Sequence, residues 1–242
     1  MLILGYAVIA YTVFLLSSAW AVYFLAGGID GPAVSSPWVA LAVDGALLLA
    51  FAVQHSVMAR AGVKQRLTRL IPAAAERSTY VLVAGLLLLA QFVFWQPVPA
   101  ALWHVGAPWS VAIWVVYAAG WVLVVVSTYA VDHADFLGLK QAYTYLRRLP
   151  YQSPSFTRRG LYALCRHPMM LGLVVTFWAT PRMSVGHLFF AVAATGYIAV
   201  GIRFEERDLR AHLPVVYDEY ARDVPALVPA VRSRGAHRGV RS

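Results

Sequence analysis

Charged side chains all but vanish from five stretches of the chain, near residues 2–26, 38–58, 79–95, 109–131 and 184–203. Each is close to the ~20 apolar residues a helix needs to cross the hydrocarbon core of a bilayer. A sixth apolar run, 169–180, is too short to cross alone. Runs of that length are re-entrant, or are completed by polar residues buried against other helices. Pro181 and Ser184, in "TPRMS", suit a turn between this run and the last long one, so the two arms read as a C-terminal helical hairpin. The pattern predicts an all-α, polytopic transmembrane bundle of five spanning helices plus a short sixth. No internal repeat or low-complexity tract interrupts it.

Composition agrees. The chain is 60% hydrophobic and 13% charged, with a mean hydropathy of +0.65, whereas soluble domains are roughly 25% charged. We read one integral-membrane domain over 1–230. Residues 1–131 form a four-helix half, 132–230 a more polar half, and 231–242 a basic tail expected to be disordered. "AWA" (Ala19 to Ala21) looks like a cleavage site, but no Lys or Arg precedes it, so the segment reads as a retained first helix.

The net charge of +9 invites a nucleic-acid partner, and its placement argues against one. Lys and Arg crowd the 59–78 loop, the 132–166 stretch and the region after 202, while 27–37 and 96–108 have none. Only Arg182 falls on the other side. This positive-inside asymmetry puts both termini in the cytoplasm of a cell (inner) membrane protein, with the polar chemistry at the cytoplasmic mouth of the bundle. Membrane lipids are the expected surroundings; nothing in the sequence reads the oligomeric state. The single cysteine, Cys165, excludes an internal disulfide and reads as packing; no Cys/His spacing suits a metal.

Against that background the polar residues beside apolar runs stand out. In "CRHPMMLG" (Cys165 to Gly172), Pro168 turns His167 away from helical geometry. Arg166 there either pairs with a carboxylate or snorkels to the headgroups, and His167 either donates and accepts at neutral pH or caps a helix. Gly172 lets a backbone or a ligand approach. In "RFEERDL" (Arg203 to Leu209), adjacent Glu205 and Glu206 cannot share a helix face, so either one faces the bundle while the other meets water or an arginine such as Arg207, or the run is an ordinary solvated helix end. Tyr217 and Tyr220 share a face of the helix in "YDEYARDVPALVP". Asp44 and His55 are ionisable groups inside or at the edge of the second span, where burial is expensive. Asp132, His133 and Asp135 sit where the fourth helix leaves the membrane, and mutual hydrogen bonds or capping explain them.

Taken together, "GLYALCRHPMMLG", "GHLFFAVAATGYIAVGIRFEERDL" and "YDEYARDVPALVP" resemble the cytoplasmic half of the isoprenylcysteine carboxyl methyltransferase superfamily, over roughly 158–229. "FAVQHSVMAR", "IPAAAERSTYVL", "WQPVPAALW" and "DHADFLGLKQ" resemble its methanethiol S-methyltransferase branch, which shares this region with NnrU-like membrane proteins. The resemblance implies methyl transfer from S-adenosyl-L-methionine to a small apolar thiol: methanethiol to dimethyl sulfide, or hydrogen sulfide to methanethiol. Carried over by position, Tyr162, His167, Pro168, Met169, Met170, Glu205 and Glu206 would line the cofactor site, with Arg166 and Gly172 shaping its loop. Met170 stands where the superfamily usually has Tyr, so that hydroxyl is lost. For a base that takes the thiol proton, position nominates His55, then His133. Competing readings are a prenylcysteine carboxylate or lipid acceptor, a non-catalytic NnrU-like protein, and a sterol-type reductase using a nicotinamide cofactor.

Overall fold

The computed structural model describes residues 1–154 and 156–229. The tail 231–242 lies outside the described residues. Among the described residues, five helices are long and apolar enough to cross a membrane. They are α1 (Leu2–Tyr23, prolonged by a π turn Phe24–Gly28), α2 (Pro37–Ala59), α4 (Ala73–Phe94), α5 (Trp109–Val131) and α9 (Val185–His212). Short helices lie between or after them: α3 (Ala61–Leu67), α6 (His133–Phe136), α7 (Leu139–Leu146), α8 (Pro168–Trp178) and α10 (Pro214–Asp223). The architecture is the expected polytopic bundle, and the protein is a multi-pass membrane protein.

The bundle is ordered by what a bilayer tolerates. Leu16, Leu49, Val115, Val125 and Val192 point outward, while Ser17, Asp44, Ser78, Gln91 and Thr176 are buried between helices. Lipid accepts the apolar exterior, so the interior is where polar groups find partners. Tyr117 Oη donates to the Val22 carbonyl at 2.6 Å and Tyr6 Oη to Thr79 Oγ1 at 3.0 Å. A cluster of Phe24, Phe92, Trp95, Phe177 and Phe190 packs largely edge to face, the favoured aromatic geometry. The π turn that delivers Phe24 ends through Gly27 at φ 139°, which a side chain would disfavour.

Helices α5 and α8 approach closely because each offers a glycine. A Cβ on Gly172 would lie 2.8 Å from the Gly120 carbonyl oxygen, and one on Gly120 would lie 2.8 Å from Thr176 Cγ2. The backbones therefore meet directly, as small residues permit in membranes.

Two short strands were not expected. β1 (Ala101–His104) pairs antiparallel with β2 (Arg182–Ser184), which occupies what the sequence suggested was only a turn. The Val105 N–H also donates to the Pro181 carbonyl at 2.8 Å, and Trp103 Nε1 to that of Thr180 at 3.3 Å. Because β1 joins α4 to α5, the chain beyond α8 reaches the far end of the bundle. The 11 residues of α8 cover about 16 Å, and residues 179–184 complete the crossing in extended form. The hairpin thus runs from one end of the bundle to the other, and α1 begins at the end where α10 lies. Hydropathy also set two helix ends short: α4 starts at Ala73 rather than near 79, and α9 runs to His212, well past 203.

Candidate functional site

Pro168 is the first residue of α8, and His167 before it has φ −127° and ψ 64°, outside the helical region. That break frees two N–H groups. Arg166 N donates to the Pro225 carbonyl at 2.9 Å and His167 N to that of Ala226 at 3.0 Å. Pro225 forces the chain into extended form at Val224, so residues 224–226 leave α10 as a strap across the Arg-His-Pro loop. Tyr217 and Tyr220 are both buried; Tyr220 Oη donates to the Tyr162 carbonyl at 2.6 Å. The Arg158 guanidinium lies 5.7 Å over the Tyr220 ring and donates to the Val216 carbonyl.

Glu206 is the hub of the site. Its Oε1 accepts from Arg166 Nε at 2.8 Å, from Arg166 Nη2 at 2.6 Å, and lies 3.1 Å from His167 Nε2. Its Oε2 accepts from Arg210 Nη2 at 3.3 Å, and Arg210 Nε reaches Asp218 at 3.2 Å. Arg166 Nη1 donates to the carbonyls of Ala221 and Val224. The side chains of Arg166 and Glu206 are each only 10% exposed. Arg166 therefore does not snorkel, and His167 does not cap α8 with its side chain. A buried charge of this kind persists only when paired and hydrogen-bonded, and here both conditions are met.

Glu205, about 100° round the helix, is in another situation. Its side chain is 51% exposed, with His167 Nδ1 3.6 Å away. The Tyr162 phenol is pushed above its ordinary value by burial, and next by the Glu205 charge. Burial lifts Tyr217 and Tyr220 to about 12, so all three rings stay neutral. Burial likewise raises the Cys165 thiol, in keeping with a packing role.

The other nominated residues divide. Pro168 is buried; Met169 and Met170 are half-buried, and Met170 packs on the aromatic core. Gly172 belongs to the α5–α8 crossing, so the group that approaches it is the Gly120 backbone. His133 has both ring nitrogens engaged: Nδ1 is 2.8 Å from Thr128 Oγ1 and Nε2 3.2 Å from Tyr11 Oη. Asp132 caps α6 by accepting from Asp135 N, and the bonded Lys140 ammonium at 2.8 Å holds its carboxyl below the usual range. Asp44 accepts from Gln96 N at 2.8 Å and is fully buried.

His55 sits in a separate aromatic nest. Its Nε2 is 2.8 Å from Tyr80 Oη, its ring stacks on Phe51 at 5.1 Å, and Tyr197 closes the side at 6.4 Å. Tyr197 Oη in turn lies 3.2 Å from Ser56 Oγ. His55 Nδ1 is buried without a hydrogen-bond partner among the described residues. Sequence reasoning missed Tyr80, Tyr197 and Arg210. Arg210 had a readable signal, since it lies one turn beyond Glu206. Tyr80 and Tyr197 had none, because only the tertiary fold brings them to His55.

The chain is 45% identical over 231 residues to a methanethiol S-methyltransferase of Mycobacterium tuberculosis, covering 93% of this chain and 94% of that protein. It is 40% identical over 240 residues to methanethiol S-methyltransferase 2 of Bradyrhizobium diazoefficiens, with 96% and 92% covered. Nurim of Xenopus laevis is 30% identical over 230 residues, with 84% and 79% covered. No family model and no solved structure matches the chain.

Proposed function

The chain belongs to the methanethiol S-methyltransferase family, and from that premise we propose that it transfers a methyl group from S-adenosyl-L-methionine to a small thiol at the cytoplasmic edge of the plasma membrane. The acceptor is methanethiol and the product dimethyl sulfide. The observation that carries the reading is the division of labour between adjacent carboxylates. Glu206 is occupied in holding Arg166 and His167, which leaves Glu205, half-exposed beside them, to take a ligand.

The residues present suit that cofactor. The open Glu205 carboxylate can accept from hydroxyl or ammonium groups. The half-buried Tyr162 and the Met169 and Met170 thioethers offer an apolar, polarizable wall for a base. When bound, S-adenosylmethionine supplies an electrophilic methyl: its sulfonium S–C bond breaks, a new C–S bond forms to the thiolate, and the leaving thioether keeps the electron pair.

The chain's own part is to bind, orient and move one proton. Glu206 locks Arg166 and His167 before any ligand arrives, and the 224–226 strap fixes the loop from outside. Such positioning is worth about 7–11 kcal/mol in favourable intramolecular cases. His55, anchored at Nε2 by Tyr80, is our candidate to take the thiol proton. His133, with both nitrogens engaged, is not used. A bilayer location suits an apolar thiol, which partitions toward the site.

The test is headspace detection of dimethyl sulfide from purified protein given S-adenosylmethionine and methanethiol, beside a Glu205→Ala control. We expect product from the wild type and loss of it in the control. Cofactor binding without thioether formation would redirect the reading to a prenylated or lipid acceptor, and no cofactor binding would end it.

A further inference from the structure

Most of the interhelical glycines of this bundle are required by packing. A Cβ on Gly85, Gly120, Gly172 or Gly186 would come within about 3 Å of a neighbouring atom. Gly201 behaves otherwise. It lies inside α9, is half-buried, and a Cβ built on it meets nothing within 4 Å. Glycine inside a helix lowers stability relative to alanine, so neither the helix nor its packing explains this residue.

Its surroundings indicate what does. Tyr197, Gly201 and Glu205 are four residues apart and follow one stripe of α9. On either side of Gly201 the helix touches α2: Tyr197 meets Ser56 and His55, and the Arg60 guanidinium lies 4.7 Å over the Phe204 ring. Gly201 lies between these contacts along α9, with open space where a side chain would stand, a gap in the packing. At one end stands Tyr197 beside the His55 nest; at the other is Glu205 beside His167. We propose that this gap is the acceptor site, and that Gly201 is the residue that sets how large a thiol it takes.

The inference rests on the thiol methyl-transfer reading, and its tests separate the two. Gly201→Ala, Gly201→Val and Gly201→Leu are compared with wild type for KM and kcat on methanethiol, ethanethiol and propanethiol. S-adenosylmethionine affinity is measured alongside by calorimetry and folding by thermal unfolding. Added bulk should raise KM for methanethiol at least tenfold in the Val and Leu variants and remove turnover of larger thiols already in Gly201→Ala. Cofactor affinity should stay within twofold. Unchanged KM in folded variants, or a loss confined to cofactor affinity, would overturn the assignment.

A second readout needs no activity. Gly201→Cys is treated with methyl methanethiosulfonate, with the wild type, whose single Cys165 is buried, as the blank. Methylthiolation faster than the blank is expected. Failure of the introduced thiol to react would show the gap closed and sink the proposal. Labelling of the variant with no dimethyl sulfide from the wild type would instead overturn the thiol reading and leave the gap standing.

Discussion

Glu206→Gln strips Arg166, His167 and Arg210 of the carboxylate they share, and breaking one partner of a buried pair costs about 3–5 kcal/mol. We expect a clear fall in the midpoint of thermal unfolding in detergent. Glu205→Gln should leave that midpoint in place and weaken S-adenosylmethionine about tenfold, or ~1.4 kcal/mol by calorimetry. Equal effects of the two changes on stability would contradict the division of labour. Cys165 offers a test in pH. Burial raises its thiol, so the native state holds the proton more tightly than the unfolded one. Its stabilising effect is complete below the ordinary cysteine value and is lost as pH rises through the raised one. Iodoacetamide at pH 8 should therefore modify the native protein at least tenfold more slowly than the protein in dodecyl sulfate. At this scale the sequence singled out Arg166, His167, Glu205 and Glu206, which the fold brings together, and was silent about how they pair. That the two glutamates cannot share one helix face follows from helical periodicity. That Glu206 is the one facing inward depends on Arg166, forty positions away, and no local signal carries that pairing.

The elements can be probed through their glycines. Gly172→Ala would set a Cβ 2.8 Å from the Gly120 carbonyl, where neither backbone has room to move. Overpacking of this kind costs about 1–3 kcal/mol. Gly201→Ala meets open space and should stabilise α9 by about 0.5–1 kcal/mol, while narrowing the acceptor range. Thermal unfolding of the two variants side by side should shift in opposite directions. The spanning helices were legible because hydropathy reports directly on the solvent they face. Helix ends were not. α4 begins with "AAAERS" and α9 ends with "EERDLRAH", polar turns that remain helical beyond the apolar run. The β1–β2 pair was unreadable for another reason: strands of four and three residues, some eighty apart, are too short to show alternation.

For the whole molecule, the strand pair settles the path of the chain. Since β2 lies beside β1, Gly106 and Pro181 belong to one end of the bundle, and Val63, Leu149 and α10 to the other. Reporter fusions should give one phenotype at 106 and 181 and the opposite phenotype at 63 and 149. A shared phenotype at 149 and 181 would mean that α8 and its extended continuation do not cross. The asymmetry of Lys and Arg predicts that the second set is cytoplasmic, and the same fusions read that sign.

The eleven residues of α8 also bear on how the protein is made. A segment so short falls well below the ~20 apolar residues that let a nascent helix partition into lipid by itself. Its extended continuation carries backbone groups that pair with β1 and with Val105 just beyond it. Both partners must already be in place, and the close glycine contact with α5 must be available, before this part of the chain can leave the ribosome's side of the membrane. The last hairpin therefore enters as a late folding step that reads the assembled first half as its template, and a chain stopped before α9 should keep residues 168–184 on the side where synthesis left them.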